Sequence, residues 1–235
     1  MQLNEVLAKL KSLSNPKNVE GMARFGINPD KTFGIQIPVL RQMAKEIEKD
    51  PDFAKAPTDK HSLALELWDS GYHEARILAT MIDDYKQVDE GQMDTWVANF
   101  DSWDVCDQCI MNLFEDADMA WDKAVEWSAK DEEFVKRAGF VVMARLAVSD
   151  KKAEDEKFNK FFPIIKQEAH DERNFVKKAV NWALRQIGKR NINLNKRAIR
   201  VGEEIEKQDS KAAKWIAKDA LRELQSEPVQ RRLKK

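Results

Sequence analysis

Phe134-Val-Lys-Arg-Ala-Gly-Phe-Val-Val-Met-Ala-Arg-Leu-Ala147 and Phe175-Val-Lys-Lys-Ala-Val-Asn-Trp-Ala-Leu-Arg-Gln-Ile-Gly188 are two copies of one pattern, set 41 residues apart. In the first copy Ala138, Val141, Val142 and Leu146 recur at the three- and four-residue spacing of an amphipathic helix. Weaker copies follow at Ser210-Lys-Ala-Ala-Lys-Trp-Ile-Ala-Lys-Asp-Ala-Leu-Arg222 and precede at His73-Glu-Ala-Arg-Ile-Leu-Ala-Thr-Met-Ile82.

A period near 40 residues built from helix pairs is the signature of HEAT and armadillo repeats. One such pair cannot bury its apolar face alone, so pairs stack. The rest of the chain agrees. Stripes such as Leu40, Met43, Ile47 and Leu63, Leu67 keep helical spacing, and no alternating β-branched run of strand length occurs. Glycine is scarce, at 8 residues. The expectation is all-α: a single curved solenoid of HEAT-like antiparallel helix pairs over residues 1–235, with about thirteen (12–14) helices. They fall near 3–13, 16–25, 38–50, 59–70, 72–86, 89–99, 101–114, 117–129, 131–148, 154–170, 172–190, 193–207 and 209–226. Pro16 and Pro38 sit near helix starts, Pro51 and Pro57 in a loop, and Pro228 in the tail; Asp59, Asp101, Asp131, Asp171 and Asp209 are cap candidates. In such a stack the second helix of each pair lines one face, where Lys136/Arg137 and Lys177/Lys178 would form a stripe.

The overall charge of −1 conceals a polarity. Residues 1–120 carry 12 Lys and Arg against 22 Asp and Glu, a net −10; residues 121–235 carry 28 against 19, a net +9. A basic half suggests a polyanionic partner, although solvated helix faces give the same count. No apolar run approaches the roughly 20 residues of a membrane span, and Met1-Gln-Leu-Asn-Glu lacks the basic-then-apolar start of a secretory signal. A cytoplasmic protein is expected. Cys106 and Cys109 form a C-x-x-C, but there is no second pair to complete a zinc site, and His61, His73 and His170 are scattered. Small apolar filling of a helix face suits the cysteines better than a metal or redox role, and no metal or cofactor is expected. Walker, Rossmann and nucleophile-elbow patterns are absent from the sequence.

Chemistry concentrates at Asn99-Phe-Asp-Ser-Trp-Asp-Val-Cys-Asp-Gln108. Asp101 reads as an N-cap, and Asp104 falls in the first turn, where the helix dipole favours an anion. Asp107 lies deeper, where Asp has poor propensity, and Trp103 precedes it by one turn on the same side. An indole beside a carboxylate suits a cation, and with it chemistry through a positively charged intermediate. Pairing of Asp107 with a basic residue of a neighbouring repeat is the structural alternative. Of the tryptophans, Trp68, Trp96, Trp103, Trp121, Trp127, Trp182 and Trp215, most should anchor helix contacts. Trp182, among Lys177, Lys178, Arg185, Lys189 and Arg190, fits either a nucleic-acid contact or a core indole ringed by snorkelling cations.

Taken in order, Asn15-Pro16, Met22-Ala-Arg-Phe25, Gly34-Ile-Gln-Ile-Pro38, Leu40-Arg41, Trp103-Asp-Val-Cys-Asp107, Val135-Lys-Arg-Ala138 and Phe175-Val-Lys-Lys-Ala-Val-Asn-Trp-Ala-Leu-Arg185 resemble the AlkD-type DNA alkylation repair glycosylases, a family of HEAT-like repeats. The resemblance runs from about Asn15 to Arg222. It implies a monofunctional glycosylase for cationic alkylated purines such as N3-methyladenine and N7-methylguanine, acting on double-stranded DNA without flipping the base into a pocket. It implies a catalytic role for Asp107, with Trp103 and Trp182 flanking the deoxyribose and Arg137 near the lesion's backbone. Lys136, Lys177, Lys178, Arg185, Phe25 and Gln36 complete the expected DNA-binding set; Phe25 stands where the family often carries Tyr. An already cationic base leaves without protonation, so one carboxylate suffices where glycoside hydrolysis ordinarily needs two. A monomer is expected. A non-catalytic HEAT-repeat DNA binder and a protein–protein scaffold are the alternatives.

Overall fold

In a computed structural model that describes residues 2–50 and 57–234, all regular structure among the described residues is helical. The chain divides into two compact units, Met1–Ala117 and Asp118–Lys235.

The first unit holds α1 (Leu3–Ser12), α2 (Pro16–Ala23), α3 (Ile37–Glu48), α4 (Pro57–Asp69), α5 (His73–Ile82), α6 (Glu90–Ala98), α7 (Trp103–Asn112) and a closing 3-10 turn (Phe114–Asp116). α5 is its centre, packing against α3, α4 and α7. α4 meets α6 through Trp68 and Trp96, whose rings stack 4.0 Å apart and nearly parallel.

The second unit holds α8 (Ala120–Ser128), α9 (Glu133–Ser149), α10 (Asp155–Asn159), α11 (Phe161–Glu168), α12 (Asn174–Gly188), α13 (Ile192–Glu206), α14 (Lys211–Leu224) and α15 (Glu227–Leu233). Its contacts have the two-row order of stacked helix pairs. α9, α12 and α14 pack in sequence in one row, α8, α11 and α13 in the other, and α8 pairs with α9 as α13 does with α14. The repeated stretches are neighbours in that row: Phe134 and Phe175, the first residues of the two copies, lie 5.6 Å apart ring to ring. Gly139 permits the α8–α9 contact, because a Cβ there would stand 2.4 Å from the Ser128 nitrogen and 2.9 Å from the Ala124 carbonyl oxygen. This is the HEAT-like all-α fold expected from the repeat.

The expected helices are present, with ends displaced by up to four residues and two local differences. The helix expected over 154–170 breaks at Lys160, because Pro163 has no N–H to donate to the Asn159 carbonyl. The tail forms a further helix, α15, with Pro228 in its first turn, where the missing N–H costs nothing. α5 stops at Ile82, short of the expected 86. There the Asp83 carboxylate receives Gln92 Nε2 at 2.7 Å and the Asp84 N–H at 2.8 Å, local bonds that compete with helix continuation.

The aspartates expected as caps stand one or two residues too early. Ser102, Glu132, Arg173 and Ser210 occupy the N-cap positions, and of these only the Ser210 side chain caps. Asp101, Asp131, Asp171 and Asp209 precede them. Asn15, Asp89 and Asn191 cap α2, α6 and α13. α4 begins at Pro57, so that proline opens a helix instead of lying in a loop. Pro51 and the side chain of Asp59 lie outside the described residues.

Candidate functional site

The first turn of α5 organises one end of the first unit. Glu74, fully buried, accepts three backbone N–H groups from the loop ahead of α3: Phe33 at 2.8 Å, Gly34 at 2.6 Å and Ile35 at 3.0 Å. A buried carboxylate is tolerable only with such compensation. Gly34 makes the close passage possible: its φ is +78°, and a Cβ would lie 2.3 Å from the Asn15 carbonyl oxygen. His73, also buried, donates its backbone N–H to the Lys31 carbonyl at 3.0 Å and sets Nε2 2.9 Å from Asp104 Oδ2 in the first turn of α7. Burial is the strongest single influence on His73 and opposes its charge. The hydrogen bond to Asp104, with the negative charges of Asp104, Glu74 and Asp101, outweighs it and raises the pKa above the ordinary value.

These bonds frame a cleft of about 630 Å³ lined mainly by apolar side chains, among them Met22, Ile27, Ile35, Ile77 and Met111. Into it open Phe25, Gln36, His73, Trp103, Asp104 and Asp107. Trp103 Nε1 donates to the Phe25 carbonyl at 3.0 Å, which fixes the indole at the rim. The Phe25 ring stands outward, 71% exposed, while Asp107 is only 8% exposed. The arrangement offers an aromatic rim with a carboxylate recessed behind it.

The remaining expected site residues belong to the second unit. Trp182 is half-buried on α12, and Lys178 is exposed. Lys177 lies over the Trp215 ring, 5.2 Å from its centroid. The other cations are engaged within the fold. Lys136 Nζ is 2.7 Å from Glu168 Oε2, and both side chains are only 10% exposed. Buried Arg137 donates from Nη1 to the Phe175 carbonyl at 2.7 Å. Arg185 donates to Glu223 at 2.5 Å and lies 3.7 Å from Asp219. The equivalent positions Lys136/Arg137 and Lys177/Lys178 therefore do not form a uniform exposed stripe: the first pair is buried between neighbouring helices, the second reaches the surface.

Both cysteines are fully buried, and burial, the largest cause, pushes the Cys109 thiol well above its ordinary pKa. They fill α7 as small apolar residues. No cluster of metal-ligating side chains occurs among the described residues.

The sequence profile of the family described as "DNA alkylation repair enzyme" matches residues 6–224. The chain belongs to the DNA alkylation repair enzyme family. No curated protein matches it significantly. Its fold is shared with a solved structure described as "a new family of proteins related to the HEAT-like repeat DNA glycosylases with affinity for branched DNA structures". That similarity has a TM-score of 0.76 and 22% identity, and covers 93% of this chain and 94% of the other.

In this DNA alkylation repair family member, the fold brings Phe25, Gln36, Trp103 and Asp107 to one cleft, although they lie far apart in sequence. His73, Glu74 and Asp104 frame that cleft and were not singled out from sequence for a role in it. The signal was an acidic–basic pair opening an otherwise apolar repeat helix, a place where polar side chains are best explained by bonds to neighbouring elements. Trp215, one of the seven tryptophans, is 41% exposed.

Proposed function

We propose that this protein is a monofunctional DNA glycosylase that releases cationic alkylated purines, N3-methyladenine and N7-methylguanine, from double-stranded DNA in base excision repair. It acts as a monomer in the cytoplasm and needs no cofactor. The observation that carries this reading is the placement of Trp103 and Asp107, one helical turn apart on α7, in one cleft beside Phe25 and Gln36. As the glycosidic bond lengthens, positive charge moves to the deoxyribose. A recessed carboxylate stabilises that charge more in the transition state than in the ground state. The Trp103 ring adds attraction for the same cation. Asp107 also orients the attacking water. Lys177 and Lys178 hold phosphates without sequence preference.

The test is release of N7-methylguanine from methylated duplex, read as strand breaks after heating abasic sites. Asp107→Asn is expected to lower release by about 10²–10³-fold while leaving duplex affinity unchanged. Near-parental release by that variant would reject the catalytic assignment.

A second reading is favoured by the affinity for branched DNA ascribed to the solved relative: a family member that binds DNA without excising a base. Binding of a three-way junction by a parent protein that releases no methylated purine would decide for it.

A further inference from the structure

One face of α14 carries no free carboxylate. Lys211, Lys214, Trp215, Lys218 and Arg222 are all exposed and follow the spacing of a single helical stripe, while Ala212, Ala213, Ile216, Ala217 and Ala220 are buried behind them. The acidic residues of the helix are turned toward α12. Asp219 receives Asn181 Nδ2 at 2.7 Å and also pairs with Arg222, and Glu223 binds Lys189 Nζ at 2.6 Å and Arg185. At the N-terminal end Glu172 is engaged by Ser210 Oγ and the Ala212 N–H, both at 3.0 Å, and Asp209 lies 3.4 Å from Lys214. Lys177 from α12 adds its ammonium over the Trp215 ring.

We propose that this face binds single-stranded DNA, with Trp215 as the platform for an unstacked base and Lys214 and Lys218 as contacts to the flanking phosphates. This rests on the reading that the protein works on DNA. An indole left 41% exposed loses the benefit of burial, and a ring of cations around it excludes a purely apolar partner. A nucleotide answers both features, because its base offers a π-face and its backbone one negative charge per residue. Duplex DNA cannot use the ring in this way, since its bases are stacked on one another. The site therefore discriminates frayed, gapped or overhanging ends from intact duplex.

The test measures binding of labelled single-stranded and blunt duplex oligonucleotides at low salt by the full-length parent, Trp215→Ala and Trp215→Phe. All substitutions lie on an exposed face and spare the cleft of the first unit. Trp215→Ala is expected to weaken single-strand binding about tenfold, with Trp215→Phe retaining most of it and duplex binding unchanged. Parental single-strand affinity in Trp215→Ala, with duplex binding intact, overturns this site and leaves the proposed glycosylase function standing. An equal loss on both DNAs also overturns it, because the residue then acts without regard to unstacked bases. A parent that binds neither DNA overturns both.

Discussion

His73 Nε2 stands 2.9 Å from Asp104 Oδ2, joining the first residue of α5 to the first turn of α7 at the wall of the cleft that holds Asp107. The same turn of α5 holds the Phe33–Ile35 loop through Glu74. Two adjacent side chains thus set the spacing between the Phe33–Ile35 loop and the helix that carries the carboxylate.

The His73–Asp104 pair makes stability depend on pH in a definite sense. The folded pKa of His73 is raised, so its contribution is complete below the unfolded value of about 6.5 and is lost as pH rises through the folded value. Parent and His73→Gln are compared by thermal unfolding from pH 5.5 to 9. The variant should be less stable by about 1–3 kcal/mol at the acid end, with the gap narrowing as pH rises. A gap that stays constant or widens would contradict the charged pair.

Glu74→Gln keeps the size of the side chain but replaces one acceptor oxygen with a donor that faces backbone N–H groups. At least one of the three loop bonds is lost in a fully buried setting. A loss of about 2–4 kcal/mol is expected in denaturant unfolding, together with faster amide exchange at Phe33, Gly34 and Ile35. Parental protection of those amides would show that the loop is held by something else.

Trp103→Phe retains an aromatic face but removes the Nε1–H bond to the Phe25 carbonyl. Trp103→Ala removes both. If the ring stabilises a sugar cation, release of N7-methylguanine falls about 3–30-fold in the Ala variant, the equivalent of about 0.5–2 kcal/mol, and less in Phe. Equal rates in parent and Trp103→Ala would remove the indole from the reaction.

Lys178 and Lys136 occupy comparable stretches of sequence and should behave differently. Loss of exposed Lys178 should lower the salt slope of duplex binding by about 0.9, the value for one phosphate contact. Lys136→Met should leave that slope unchanged and destabilise the fold by about 3–5 kcal/mol, because Glu168 is left charged and buried without its partner. A reduced slope in Lys136→Met would mean that the lysine reaches DNA after all.

Gly139→Ala tests the repeat itself. A methyl group at 2.4 Å from the Ser128 nitrogen forces α8 and α9 apart, and a loss of about 1–3 kcal/mol is expected in denaturant unfolding. A neutral or stabilising result would imply that the two helices adjust freely.

The repeat at Phe134 and Phe175, the scarcity of glycine and the helical spacing of the apolar residues sufficed for the all-α, helix-pair architecture, because helix formation and one-sided burial are local properties read over a few turns. The indole–carboxylate pair was legible for the same reason: Trp103 and Asp107 share one helix, so their spacing alone puts them on one side. Tertiary structure alone decided the rest. Phe25 and Gln36 reach the cleft because Glu74 anchors the loop between them, and nothing near residue 30 announces a carboxylate at residue 74. Lys136 and Lys177 stand in equivalent repeat positions, yet one is buried against Glu168 and the other lies over Trp215. A cation's availability depends on the charge that the neighbouring helix brings against it, and for Lys136 that charge, Glu168, is 32 residues away in the chain but adjacent in the stack.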